Sequence, residues 1–143
     1  MLDTPARPRP EFYLCADPTR QSRVLPCDLE SAGVARRLVA AVLDRWELPE
    51  LQFSAEMIAS ELVTNAVLHA RTGGAPVRVV ATRLPGYRVQ VAVADFDRRP
   101  PLPVQAGPDE ESGRGLALIA ALSENWGCEE RHWGKRVWAE VAR

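Results

Sequence analysis

The run Glu61-Leu62-Val63-Thr64-Asn65-Ala66-Val67-Leu68-His69-Ala70 decides how this chain is read. Glu61, Asn65 and His69 recur every fourth residue, so at about 100° per residue they form one slowly drifting row along a helix. Ile58 and Leu62 flank that row on one side, Met57 and Leu68 on the other. A carboxylate, an amide and an imidazole among apolar neighbours need partners, because burying such groups unpaired is costly. Two readings of the row stay open. It lines a crevice for a ligand or metal, or it faces solvent with Asn65 and His69 satisfied by the backbone.

Working outward, the helix carrying this row runs from about Leu51 or Ser54 to Ala70, and Thr72-Gly73-Gly74 supplies the backbone freedom that stops it. Upstream, Asp28 is a predicted N-cap for a helix over Leu29 to Trp46, with Val34, Leu38 and Val42 on its apolar face, ended by Leu48-Pro49. Phe12 to Ala16 forms a short strand. Residues 1–10 hold three prolines and no apolar periodicity, which reads as a flexible lead-in and leaves 11–143 as a single domain.

Downstream of the quoted run the period changes from helical to alternating. Val77, Val79 and Ala81 define one strand and Val89, Val91 and Val93 another, joined at Pro85-Gly86 as an antiparallel hairpin. The stretch Phe96 to Gly113 contains Pro100, Pro101, Pro103, Gly107 and Pro108 and reads as a long loop, a candidate lid. A third helix is predicted over Gly115 to Asn125, with Leu116, Ile119 and Ala120 among its apolar positions, then strands at Trp126 to Arg131 and Arg136 to Val141. The simplest assembly is α+β, a two-layer α/β sandwich. In it a mostly antiparallel, mixed sheet is covered on one face by about three helices.

Two further features carry chemistry. Asp95 shares the parity of Val89, Val91 and Val93, so an extended strand aims its carboxylate to the valine face. It either accepts a hydrogen bond from a ligand amine or caps the following loop. In Ser112-Gly113-Arg114-Gly115-Leu116, glycines open a helix after a loop, where backbone N–H groups and the positive end of the helix dipole attract phosphate. The same pattern also occurs at ordinary loop-to-helix junctions. There is no Gly-x-x-x-x-Gly-Lys run, and no strand precedes the glycines as a dinucleotide fold requires.

Composition narrows the function classes. The chain has 143 residues, 46% hydrophobic and 26% charged, with a formal net charge of −1. That is the profile of one ordinary globular domain with no positive field to draw it to nucleic acid or anionic lipid. The absence of a long apolar run argues against a membrane span or signal peptide, and the expected location is the cytoplasm. Cys15, Cys27 and Cys128 are widely separated, which points to buried thiols rather than a disulfide framework or zinc site. Trp126, Trp133 and Trp138 are candidates for a partner or dimer surface, with core burial the commoner fate.

Taken in order, the acid–amide–imidazole row, the strand-end Asp95 and the glycine-opened helix behind a loop resemble the GHKL ATPase superfamily with its Bergerat ATP-binding fold. In detail the chain is similar to the small anti-sigma-factor serine kinases, stand-alone histidine kinase-like ATPase domains of bacterial partner-switching systems. The run Glu61 to Ala70 resembles that family's N box, and the resemblance extends from about Val24 to Val141.

The resemblance implies that Asn65 binds a Mg²⁺ bridging the ATP phosphates and that Glu61 is the general base or positions the attacking group. It also implies that Asp95 accepts the adenine amino group and that Gly113, Arg114 and Gly115 wrap the phosphates, Leu116 completing that set. His69 supports the nucleotide site. The implied activity is ATP-dependent serine/threonine phosphorylation of an anti-sigma antagonist of the STAS type, with a sigma factor as a further partner and a homodimer as the assembly. The alternative is a non-catalytic regulator whose partner affinity is set by nucleotide. Two places depart from the family's pattern. Asp97, counted with the adenine rim, stands where many relatives carry glycine. Lys135 or Arg136 stands where they commonly place the Thr that backs the adenine pocket.

Overall fold

A computed structural model describes residues 13–14, 17–69, 74–96 and 111–143. The elements, in chain order, are β1 (Tyr13–Leu14), β2 (Arg20–Leu25), α1 (Glu30–Arg45), α2 (Pro49–His69), β3 (Val77–Leu84), β4 (Arg88–Asp95), α3 (Glu111–Leu122), β5 (Asn125–Arg131) and β6 (Gly134–Ala142). The strands form one sheet in the order β1-β2-β3-β4-β6-β5. Every described pairing is antiparallel, so the expected mixed character is absent among the described strands. The α+β two-layer arrangement is as expected.

Local chemistry sets the helix boundaries. The Asp28 carboxylate accepts the Ser31 backbone N–H at 3.1 Å, and the Ser31 hydroxyl donates to the Pro26 carbonyl at 2.6 Å. Asp28 thus ties down the turn that leads into α1, which starts one residue later than expected, with Leu29 at its boundary. At the other end the Leu48 N–H bonds the Leu43 carbonyl at 2.9 Å and the Glu47 N–H bonds that of Asp44 at 3.1 Å. This is a Schellman closure whose left-handed residue is Glu47, at φ 58°, with Leu43 and Leu48 both buried behind it. α2 starts at Pro49 rather than at Leu51 or Ser54. Proline lacks an N–H that the first turn cannot use and has its φ already near the helical value, so it opens α2 as well as ending α1.

The core lies between the sheet and the helices. Val77, Val79 and Ala81 of β3, Val89, Val91 and Val93 of β4, and Ala139 and Val141 of β6 meet Leu38, Val39, Val42 and Leu43 of α1, Ala55, Ile58, Leu62 and Val63 of α2, and Ile119 of α3. Burying each of the valine, leucine and isoleucine side chains stabilises the fold by roughly 1.5–3 kcal/mol, and each alanine methyl by less. The opposite face of the sheet carries a polar network on small buried residues, Val80, Ala92 and Ala94. There Arg136 donates to the Gln90 amide oxygen, the Gln90 amide donates to Glu140 at 3.3 Å, and Glu129 lies 3.7 Å from Arg136.

Other expectations change. β2 was not legible, because Arg20-Gln21-Ser22-Arg23-Val24-Leu25 lacks apolar alternation, yet it pairs with β3 along its whole length. Gln21 is buried there, and its side-chain oxygen has no hydrogen-bond partner among the described residues. α3 spans Glu111–Leu122 instead of Gly115 to Asn125, so residues 111–113 are helical rather than part of the loop. Neither cysteine among the described residues is buried: Cys27 is half-buried and Cys128 exposed on β5. Trp126 is 41% exposed, whereas Trp133 and Trp138 are half-buried. The lead-in over 1–10, Cys15, Thr72-Gly73 and the loop over 97–110 lie outside the described residues. Among the described residues no helix is long and apolar enough to cross a membrane.

Candidate functional site

The direction of α2 fixes where its polar row emerges. At its N-terminus Glu50 pairs with Arg143 at 3.7 Å, and the Arg143 N–H bonds the Tyr87 carbonyl at 3.3 Å, in the turn before β4. α2 packs along β4 and β6. Its 21 residues span about 30 Å and the eight of β4 about 27 Å, so the C-terminal half of α2 reaches the end of β4, where Asp95 lies. Only residues 70–76 join His69 to Val77, and Val77 is the cross-strand partner of Asp95.

α3 has its C-terminus at the other end. The Glu124 N–H bonds the Glu140 carbonyl at 2.8 Å, and Asn125 pairs with Glu140 near the close of β6. The N-terminal turns of α3, holding Gly113, Arg114 and Gly115, therefore point back toward the Asp95 end. The three motifs singled out in the sequence share one end of the sandwich. The glycines lie inside the first helical turns, not before them; the docked apolar side of α3 overrides the roughly 1 kcal/mol by which each glycine disfavours helix.

Within the row, Glu61 and Asn65 are half-buried and His69 is exposed. Ile58 and Leu62 on one flank are fully buried, while Leu68 on the other is 46% exposed. The row thus follows the boundary between core and solvent, where a carboxylate and an amide stay hydrated yet have one low-dielectric wall. Just before Glu61, the buried Ser60 hydroxyl accepts from Arg36 of α1 at 3.1 Å, and the Thr64 hydroxyl donates to the Ser60 carbonyl at 2.8 Å. These bonds fix the turn that carries Glu61 and Asn65. Leu116 is exposed on α3, and Asp97 lies outside the described residues.

Asp95 is 3% exposed on the valine face, as its parity predicts. Its backbone is wedged by the turn between β5 and β6. Gly134, at φ 148°, approaches the Asp95 carbonyl so closely that a Cβ there would lie 1.9 Å from the oxygen. In the same turn the Trp133 ring meets Phe96 with centroids 5.5 Å apart. Sequence reading missed this role of Gly134, whose signal was a lone glycine in the short link between two predicted strands. The register also separates the two basic residues. Lys135 faces Asp95 directly across the β4–β6 ladder, while Arg136 belongs to the opposite face.

The donor set suits a hard cation held mainly by phosphate and water. An amide oxygen at Asn65 with a carboxylate one turn away matches Mg²⁺, which keeps several waters and takes few protein ligands. Among the described residues no group of three or more acidic, histidine or cysteine side chains forms a closed metal cage.

A family model described as the histidine kinase-like ATPase domain matches residues 25–140. An uncharacterized protein of Streptomyces coelicolor is 41% identical over 85 residues, 58% of this chain and 80% of that protein. The histidine kinase domain of the blue-light activated histidine kinase from Erythrobacter litoralis is similar over 64% of this chain and 44% of that one, at 21% identity and a TM-score of 0.49.

Proposed function

The chain belongs to the histidine kinase-like ATPase family, and from that premise we propose that it is an ATP-dependent regulator that phosphorylates a serine or threonine of a partner protein. The partner class proposed is an anti-sigma antagonist of the STAS type, with a sigma factor as the second protein bound. The observation that supports this reading is the half-buried pair Glu61 and Asn65 on α2, set at the same end of the sandwich as the buried Asp95.

Asp95 accepts the adenine amino group, a charge-assisted hydrogen bond of about 1.5–3 kcal/mol. Asn65 would hold Mg²⁺, which when bound neutralises charge on the phosphates. Glu61 receives the proton of the attacking hydroxyl, a carboxylate role that fits its partly hydrated position. Phosphoryl transfer asks the protein mainly for positioning and charge stabilisation, and the first turn of α3, which includes Gly113 and Arg114, offers backbone N–H groups for the phosphates.

The test is calorimetric titration with ATP, with and without Mg²⁺, of the natural protein, Asp95→Asn and Asn65→Ala. Magnesium-dependent binding that weakens at least about tenfold in both variants is expected. Incubation with labelled ATP and a STAS-type protein then reads transfer. Binding without transfer to a panel of such partners would replace the kinase by a nucleotide-gated binding protein, and no binding at all would sink both.

A further inference from the structure

Lys135 is the single lysine of the chain. In the β4–β6 ladder it stands directly opposite Asp95, and across β5–β6 it stands opposite Glu130. Direct cross-strand partners share a face with Cβ atoms about 4.5–5.5 Å apart. Lys135 therefore projects on the same side as the buried Asp95 carboxylate, the side toward α2. Arg136 alternates to the other face, where Gln90 and Glu129 hold it. Of the two basic residues in this part of β6, Lys135 alone is placed to act at the site.

We propose that Lys135 is a base-reading residue, its ammonium donating to the ring nitrogen that neighbours the amino group accepted by Asp95. The proposal rests on Asp95 being the adenine acceptor. Adenine presents its N6 amino donor between two ring acceptors, N1 and N7. A carboxylate and an ammonium borne by cross-strand partners on one face match a donor–acceptor pair of that kind. Guanine offers an O6 acceptor at position 6, against the carboxylate, and, where the ammonium reads N1, an N1–H donor in place of an acceptor; N7 is an acceptor in both bases. Asp95 thus selects the 6-amino group, and a Lys135 contact at N1 adds a second charge-assisted discrimination, whereas a contact at N7 adds affinity alone. The half-buried stem of Lys135 follows the sheet, and its compact head with three rotatable donors needs no fixed approach angle.

A purely structural role is the competing account, a cross-strand row of Asp95, Lys135 and Glu130 that stabilises the sheet edge. Nucleotide analogues separate the two. Dissociation constants are measured for ATP, 1-deaza-ATP, 7-deaza-ATP and GTP with the natural protein, Lys135→Thr and Lys135→Met, with thermal melting of each. The natural protein is expected to bind one of the two deaza analogues about tenfold more weakly than ATP. Both variants are expected to lose about tenfold on ATP and to show no remaining penalty for that analogue; where the analogue is 1-deaza-ATP the ATP-over-GTP ratio narrows, and where it is 7-deaza-ATP GTP weakens in parallel. An analogue penalty that is unchanged by the variants, or absent from the natural protein, overturns the proposal; lowered melting with unchanged ratios assigns Lys135 to the structural row. Should Asp95→Asn bind ATP as the natural protein does, the reading on which the proposal rests falls as well, and that result is distinct from the first two.

Discussion

The Asp95 carbonyl occupies the space a side chain on Gly134 would need: a Cβ at that position lies 1.9 Å from the oxygen and 3.0 Å from the Phe96 α-carbon. Gly134→Ala must therefore move the backbone that carries the Asp95 carboxylate, and φ 148° is itself strained for any L side chain. We expect a loss of at least about 2 kcal/mol in urea denaturation. ATP affinity is expected to fall with it in protein that is still folded. Unchanged affinity in the folded variant would show that Asp95 is positioned independently of this turn.

Gly127 gives the matching control on the other face. A Cβ there would lie 2.9 Å from the Trp138 ring, so the indole rests flat on this glycine. Gly127→Val is expected to push Trp138 aside and cost about 1–3 kcal/mol by overpacking. Because this contact is on the face away from the helices, ATP affinity should stay within about twofold once folding is restored at low temperature. A loss comparable to that of Gly134→Ala would mean the two faces are coupled.

How far the sequence could be read follows from which residues obey a period. The row Glu61, Asn65, His69 and the parity of Asp95 rest on regular repeats, and the structure places both as the repeats require. β2 escaped because its buried positions are Gln21 and Leu25, with Arg23 half-buried and Val24 exposed between them, rather than an alternating run of aliphatics. The start of α3 escaped because glycine propensity opposes a helix that packing enforces. Choosing between Lys135 and Arg136 needed the ladder register, since adjacent residues in a strand point to opposite faces and only the pairing says which is which.

Glu47 holds a left-handed conformation that favours glycine. Glu47→Gly removes the Cβ penalty of about 1 kcal/mol or more while adding some unfolded-state entropy. A net gain of roughly 0.5 kcal/mol is expected from urea denaturation midpoints, with no change in nucleotide affinity, because the Schellman closure lies by Pro49, at the opposite end of α2 from Asn65. A destabilised variant would show that the Glu47 side chain contributes more than its backbone costs.

The Cys128 thiol is held above its usual pKa, chiefly by partial desolvation, with Lys135 pulling it down and Glu130 and Glu129 pushing it up. Alkylation by iodoacetamide should therefore lag behind that of a free thiol at pH 8, and Lys135→Thr should slow it further by removing the opposing cation. The linkage has a definite sign. The unfolded chain releases this proton at lower pH than the folded one, so the stability associated with the neutral thiol is present below the unfolded pKa and is lost as pH rises above it. Faster alkylation in Lys135→Thr would contradict the placement of the ammonium near Cys128.

Glu61 is the residue on which kinase activity depends in this reading, and its half-buried place on α2 allows a clean separation of binding from transfer. Glu61→Gln keeps the shape and the hydrogen-bonding length of the side chain but cannot take up a proton. Calorimetry should return an ATP affinity within about twofold of the natural protein, because Asp95 and Asn65 are untouched. Transfer to a STAS-type partner should drop by about 10²–10⁴, the usual contribution of a positioned general base. Equal losses in binding and transfer would make Glu61 part of the nucleotide cradle. Retained transfer would assign proton removal to another group, leaving Glu61 as one more polar residue at the rim.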